Sequence, residues 1–253
     1  MNWMHVGDAE ELSITAARML LSALATKPAL VLGLPTGRTP EGMYRRVIGE
    51  CSRQYYCFAE ATTFNLDEYV GIPSSHPGSY CSYMKRNLFS HVDIDPDRIH
   101  IPNGMPPALT MRPPDISAVV ALERECARYE EDLQGAGSLD LTFLGLGTNG
   151  HIGFNEPGTD FASRTRIVRL TEATRRANAE HFPGEEVPGH AITMGIATIL
   201  ESRSIVLMAS GSKKASVIRR LATESTSDSL PASALHAHKN VLVIVDSAAS
   251  ALL

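Results

Sequence analysis

The 253-residue sequence is poor in cysteine and aromatic side chains, carries no excess of basic charge and has no long apolar run, and each shortage removes a class of function. Its four cysteines, Cys51, Cys57, Cys81 and Cys126, form no CxxC pair and no Cys/His cluster of zinc-finger spacing. Neither a disulfide framework nor a structural zinc site is therefore expected, and a reducing, cytoplasmic setting fits best. With 23 Lys plus Arg against 28 Asp plus Glu the formal net charge is −5, which leaves no basic footprint for nucleic acid or an anionic membrane. The longest apolar stretches, such as residues 241–245 and 205–209, fall far short of the roughly 20 residues that span a bilayer. Residues 1–12 hold Asp8, Glu10 and Glu11 where a secretory leader needs a basic start and an apolar run, so no export is expected.

What remains is an ordinary globular composition, with 43% hydrophobic residues to build a core. Short apolar runs at 29–34, 62–66, 139–146, 204–209 and 240–245 are continuous enough to be strands buried on both faces, the mark of a parallel sheet. Helical periodicity occupies 8–25, 41–50, 80–89, 115–134, 172–181, 191–200 and 213–223. This alternation predicts an α/β fold with right-handed crossovers and ligands gathered at the carboxyl ends of the strands. The proline-rich stretch 102–114 is expected to be a surface excursion within one domain spanning 1–253, and the Arg- and Thr-rich piece 154–189 is a candidate lid.

Four segments carry anion-binding or acid-base chemistry. After the first strand comes Leu34-Pro35-Thr36-Gly37-Arg38-Thr39-Pro40, in which Gly37 permits a tight turn, Thr36 and Thr39 offer hydroxyls and Pro40 suits the first helical position. Free N–H groups at that helix start favour phosphate, although a plain capped turn has the same composition and the Walker A pattern is absent. Ser210-Gly211-Ser212-Lys213-Lys214 also links a strand to a helix. Lysines are disfavoured at a helix start unless an anion is present, and Lys214 can share the anion of the first loop. In Phe64-Asn65-Leu66-Asp67-Glu68-Tyr69 two carboxylates end an apolar strand. Either is a reasonable base for a carbon-bound proton, or equally a helix cap or ion-pair partner.

The densest segment is 144–157, LGLGTNGHIGFNEP, with four glycines in nine residues and with Asn149, His151, Asn155 and Glu156 on one loop. A carboxylate beside an imidazole can orient and charge it, giving a base with its orienter. The glycines match a dinucleotide fingerprint only loosely, and no helix follows at the required offset, so no nicotinamide cofactor is expected.

Taken together, LGLPTGRTPEGMY, TTFNLDEYVGIPSSHPGSY, FLGLGTNGHIGFNEPGTDFASRTRIV, HAITMGIATIL, ASGSKKA and PASALHAH resemble the glucosamine-6-phosphate deaminase family, in order and from about residue 29 to 245. The FNEP element distinguishes the chain from the 6-phosphogluconolactonases of the same fold. The resemblance implies a three-layer α/β/α sandwich around a mostly parallel, Rossmann-like sheet. It also implies conversion of glucosamine 6-phosphate and water to fructose 6-phosphate and ammonia, with no organic cofactor and no metal. It assigns ring opening to His151, held or polarised by Glu156 and Asn149, and proton transfer between C2 and C1 to Asp67. Phosphate binding falls to Thr36, Gly37, Arg38, Thr39 and Lys214.

One departure stands out: Glu180 occupies the place where the family usually has a phosphate-binding arginine. Arg176, four residues earlier on the same helical face, can pair with Glu180 or replace the missing cation. Arg38 stands where a small residue is more typical and is expected to supply the lost charge. Asp160 and Val168 occupy two positions that allosteric members use to bind N-acetylglucosamine 6-phosphate, and the chain ends at Leu253 without their tail. The resemblance therefore implies no activation by that effector, and it leaves a homo-oligomer possible. Three rival readings remain: a deaminase for galactosamine 6-phosphate or another amino-sugar phosphate, a non-catalytic sugar-phosphate sensor, and a metal enzyme. The last is disfavoured because His76, His91, His100, His181, His190, His236 and His238 are scattered, with His236 and His238 suiting a strand or helix edge better than a ligand pair. If Arg38 carries the missing charge, Arg38→Ala raises the Michaelis constant for a phosphorylated substrate, and an unchanged value in steady-state kinetics rejects that role.

Overall fold

The computed structural model describes residues 1–53, 57–105 and 116–253. Most of the proline-rich stretch at 102–114, and residue 115 at the head of an expected helix, lie outside the described residues. In chain order the elements are β1 (Asn2–Val6), α1 (Ala9–Thr26), β2 (Val31–Leu34), α2 (Arg38–Cys51), β3 (Thr62–Asn65), β4 (Asp67–Tyr69), α3 (Tyr80–Asn87), β5 (Ile99–His100) and α4 (Ile116–Gly135). There follow β6 (Leu141–Gly145), β7 (Arg166–Arg169), α5 (Glu172–Asn178), β8 (His190–Thr193), α6 (Ile196–Leu200), β9 (Ile205–Ala209), α7 (Ala215–Thr223) and β10 (Val241–Asp246).

Seven strands form one sheet in the order β1-β10-β9-β6-β2-β3-β5, every pair parallel. Both faces are buried, and the period-two alternation of a strand divides its side chains between two helical layers. Phe143, Met208 and Ile244 pack with α1, α2 and α3 on one side. Their neighbours Leu144, Leu207 and Val243 pack with α4, α6 and α7 on the other. This is the three-layer arrangement, and it explains why those strands read as unbroken apolar runs.

A second sheet, β4-β8-β7, is antiparallel and departs from expectation. The chain leaves the main sheet at Leu66, so Asp67 and Glu68 open a new strand instead of ending the old one. The expected helix over 191–200 is half strand. His190–Thr193 pairs with both β4 and β7, and only Ile196–Leu200 is helical. Gly195 stands at the break as the extended N-cap of α6, where only glycine fits, because a β-carbon would collide with the carbonyl oxygens of Ser163 and Arg164. Among the described residues no helix is long and apolar enough to cross a membrane.

Phe143 lies fully buried in β6 between the two layers. Phe143→Ala is expected to cost about 3–5 kcal/mol of stability, read from the shift of the urea unfolding midpoint at unchanged slope.

Candidate active site

The strand order reverses between β2 and β6: the chain runs outward through β3 and β5 on one side and through β9 and β10 on the other. The crevice outside the carboxyl ends at such a reversal is where open α/β sheets bind ligands. Here it holds a cavity of about 280 Å³. The loops after β2, β6 and β9 and the start of β4 all reach it, bringing Thr36, Gly37, Arg38, Thr39, Asp67, His151 and Lys214 to one wall or another.

The loop after β2 is shaped by its neighbours. Tyr44 donates its hydroxyl to the Pro35 carbonyl at 2.6 Å, Tyr83 donates to the Gly37 carbonyl at 2.6 Å, and Asn65 Nδ2 donates to the Leu34 carbonyl at 3.1 Å. Gly37 sits at the N-cap of α2 with φ of 105°, a left-handed conformation that favours glycine, and no side chain caps the helix. The first N–H groups of α2 are thus left for a ligand. The helix begins at Arg38, so Pro40 is its third residue and not its first.

Lys214 closes the short turn Ser212–Lys214 just before α7. That turn depends on Asp246 at the end of β10, which is almost fully buried and accepts from the Ser210 hydroxyl at 2.5 Å, the Gly211 amide at 3.0 Å and the Ala249 amide at 2.7 Å. Burial, with Lys213 adding to it, pushes the Lys214 ammonium pKa down.

Asp67 and Glu68 point to opposite faces of β4, as neighbouring strand residues must. Asp67 lines the cavity. Glu68 instead accepts backbone N–H groups from Tyr69 at 2.8 Å, Tyr80 at 2.9 Å and Cys81 at 2.8 Å, fastening the start of α3 and with it the cavity-lining Tyr80. Burial first, and the charge of Glu68 second, push Asp67 up to about 8.

In the glycine-rich loop, a side chain at Gly147 would strike the His151 ring, so the ring lies against bare backbone. His151 Nδ1 is buried without a hydrogen bond and faces Glu156 Oε2 at 3.7 Å. Glu156 accepts from Asn149 Nδ2 at 2.5 Å and from the Thr174 hydroxyl. Burial works against its ionisation, but His151, Thr174 and Asn149 together overcome it and hold Glu156 at about 2. Asn149 thus supports Glu156, and its Oδ1 accepts from the His151 backbone N–H at 3.2 Å.

Arg176 does not reach the cavity. The helix breaks at Asn178, and Arg176 pairs with Glu172 at 2.7 Å on an exposed face. Glu180, on the turn Ala179–His181, is paired instead with Arg38. Tyr80, Thr174 and Asn178 line the cavity as well and had no signal in the sequence, being single polar residues within helical periodicity. Among the described residues no three His, Cys, Asp or Glu side chains gather as a metal site. His236 and His238 bond the carbonyls of Leu221 at 3.0 Å and Ser202 at 2.7 Å.

Comparison with known proteins identifies the family. The family model of glucosamine-6-phosphate isomerases/6-phosphogluconolactonase matches residues 8–244. Glucosamine-6-phosphate deaminase 1 of Bacillus subtilis (strain 168) is 46% identical over 253 residues, covering 100% of this chain and 99% of its own. Glucosamine-6-phosphate deaminase of Shouchella clausii (strain KSM-K16) is 45% identical, covering 100% and 97%. A solved structure of a monomeric glucosamine-6-phosphate deaminase superposes with a TM-score of 0.92 at 46% identity, covering all of both chains. The 6-phosphogluconolactonase of Trypanosoma brucei, at 18% identity and a TM-score of 0.78 over 100% and 98% of the two chains, shares the fold. The chain belongs to the glucosamine-6-phosphate isomerase/6-phosphogluconolactonase family.

The depressed pKa of Glu156 has a stability consequence. A carboxyl lowered on folding from 4.5 to about 2 stabilises the native state above the unfolded value, and that contribution disappears as the pH falls through the folded one. The difference in urea midpoint between wild type and Glu156→Gln is expected to be constant above about pH 5 and to shrink toward pH 2.

Proposed function

We propose that the protein is a glucosamine-6-phosphate deaminase, an aldose-ketose isomerase that releases ammonia from an amino-sugar phosphate. The observation that carries this reading is the shared cavity: Asp67 and His151 face one hollow together with the loop after β2 and Lys214. The substrate phosphate is bound by the free N–H groups at the start of α2, the hydroxyls of Thr36 and Thr39, and Lys214. With His151 Nδ1 turned toward Glu156, Nε2 is the ring atom left for the sugar. It takes the proton of the anomeric hydroxyl and delivers it to the ring oxygen, opening the ring to the aldehyde, and the ionised Glu156 stabilises the imidazolium that forms in between.

Asp67 then removes the C2 proton as the electrons of that C–H bond pass toward the aldehyde oxygen, which gains a proton and gives an enolamine. Return of the proton to C1 leaves an iminium at C2. Water adds there, ammonia departs, and the water oxygen becomes the ketone of fructose 6-phosphate. A base for a carbon acid must be strong, and the raised pKa of Asp67 supplies that strength. All these groups come from one chain, so a monomer suffices. The four free cysteines support a cytoplasmic setting.

Ammonia release is to be measured with glucosamine 6-phosphate and its galacto epimer side by side, the gluco compound being the expected substrate. No ammonia release from either epimer, or release that Asp67→Asn leaves unchanged, rejects the assignment; the drop expected for Asp67→Asn is about 10²–10⁴-fold. For the free enzyme, kcat/KM should rise with pH to a plateau above about 8, as Asp67 ionises. In the complex the substrate ammonium beside Asp67 favours the carboxylate, so the same limb in kcat should lie at lower pH.

A further inference from the structure

Two cationic side chains line the cavity, Lys214 and Arg38, and they differ in their partners. Lys214 makes no ion pair among the described residues. Arg38 donates through Nη2 to Glu180 Oε2, a residue 142 positions away in sequence, so that the start of α2 is tied to the turn after α5. The residues of α5 just before that turn, Thr174, Ala177 and Asn178, line the same cavity. The pair therefore stands at its rim, and its two side chains are 76% and 42% exposed.

We propose that Glu180 is a built-in competitor for the phosphate of the substrate: it holds Arg38 while the cavity is empty and gives the guanidinium up when a phosphate enters. This rests on the reading of the cavity as a sugar-phosphate site. A carboxylate and a phosphate present similar oxygen geometry to a guanidinium, and the dianion is the stronger partner. An ion pair this exposed is weak enough to exchange. Glu180 also has a second neighbour to return to, since His181 Nε2 lies 3.7 Å from its other carboxylate oxygen. The consequence is that the protein binds phosphorylated ligands less tightly than its cations allow, by the fraction of time Arg38 is engaged.

The test is a calorimetric titration with inorganic phosphate of wild type, Glu180→Gln, Arg38→Ala and the double variant, alongside KM for glucosamine 6-phosphate. Glu180→Gln is expected to tighten phosphate and to lower KM by about two- to fivefold, the range that a weak surface pair allows. Arg38→Ala is expected to weaken both, and adding Glu180→Gln to it should bring no gain. Weaker, unchanged or undetectable phosphate binding in Glu180→Gln overturns the proposal. So does an equal gain in the Arg38→Ala background, which would mean that Glu180 simply repels the ligand. Wild-type protein that shows the expected phosphate pattern but releases no ammonia leaves the competition standing and removes the deaminase reading. Ammonia release without the pattern does the reverse.

Discussion

The constraint on which the rest depends is the parallel pairing of all seven strands of the main sheet. Parallel strands need a crossover between each pair, so every loop that follows a strand emerges at the same edge. Because the order reverses between β2 and β6, the crossovers diverge there and leave a crevice uncovered by either helical layer. The register is held from both sides: Phe143 and Leu144 enter different cores, and a slip of one residue would exchange them. The chemistry is thus fixed in place by packing far below it, and the side chains that meet in the cavity need no sequence proximity to do so.

The fold creates two opposite carboxylate environments, Asp67 on the cavity wall and Glu156 beside the cavity-lining His151. Asp67 is buried next to another carboxylate and is pushed toward the proton-bound form. Glu156, met by His151, Thr174 and Asn149, is held ionised instead. The small antiparallel sheet sets the first of these environments. By lifting Asp67 out of the main sheet onto β4, it turns Glu68 away to fasten α3 and leaves Asp67 facing the cavity alone.

Much of this was legible from the residues in order. The runs that became β6, β9 and β10 stand out because both their faces are buried, and the loops after them stand out because glycine and charge are concentrated there. What could not be read arises from contacts that no local pattern encodes. HAITMGIATIL has Ile192, Ile196 and Ile199 at helical spacing, yet pairing with β4 and β7 makes its first half a strand and the helix begins only after Gly195. The edge strand Asn2–Val6 has mostly exposed side chains and so carries little apolar signal. Arg176 was matched to Glu180 by an unbroken helical turn, but the helix ends at Asn178 and Glu172 takes Arg176 instead. The role of Asp246 under Lys214 spans 35 residues and has no sequence signature at all.

That last contact bears on how the molecule is made. Asp246 is the latest-synthesised side chain among those that shape the binding crevice, and until β10 slots between β9 and β1 the amide of Gly211 and the hydroxyl of Ser210 lack their acceptor. The turn that carries Lys214 thus completes its hydrogen bonds only with the pairing of β10.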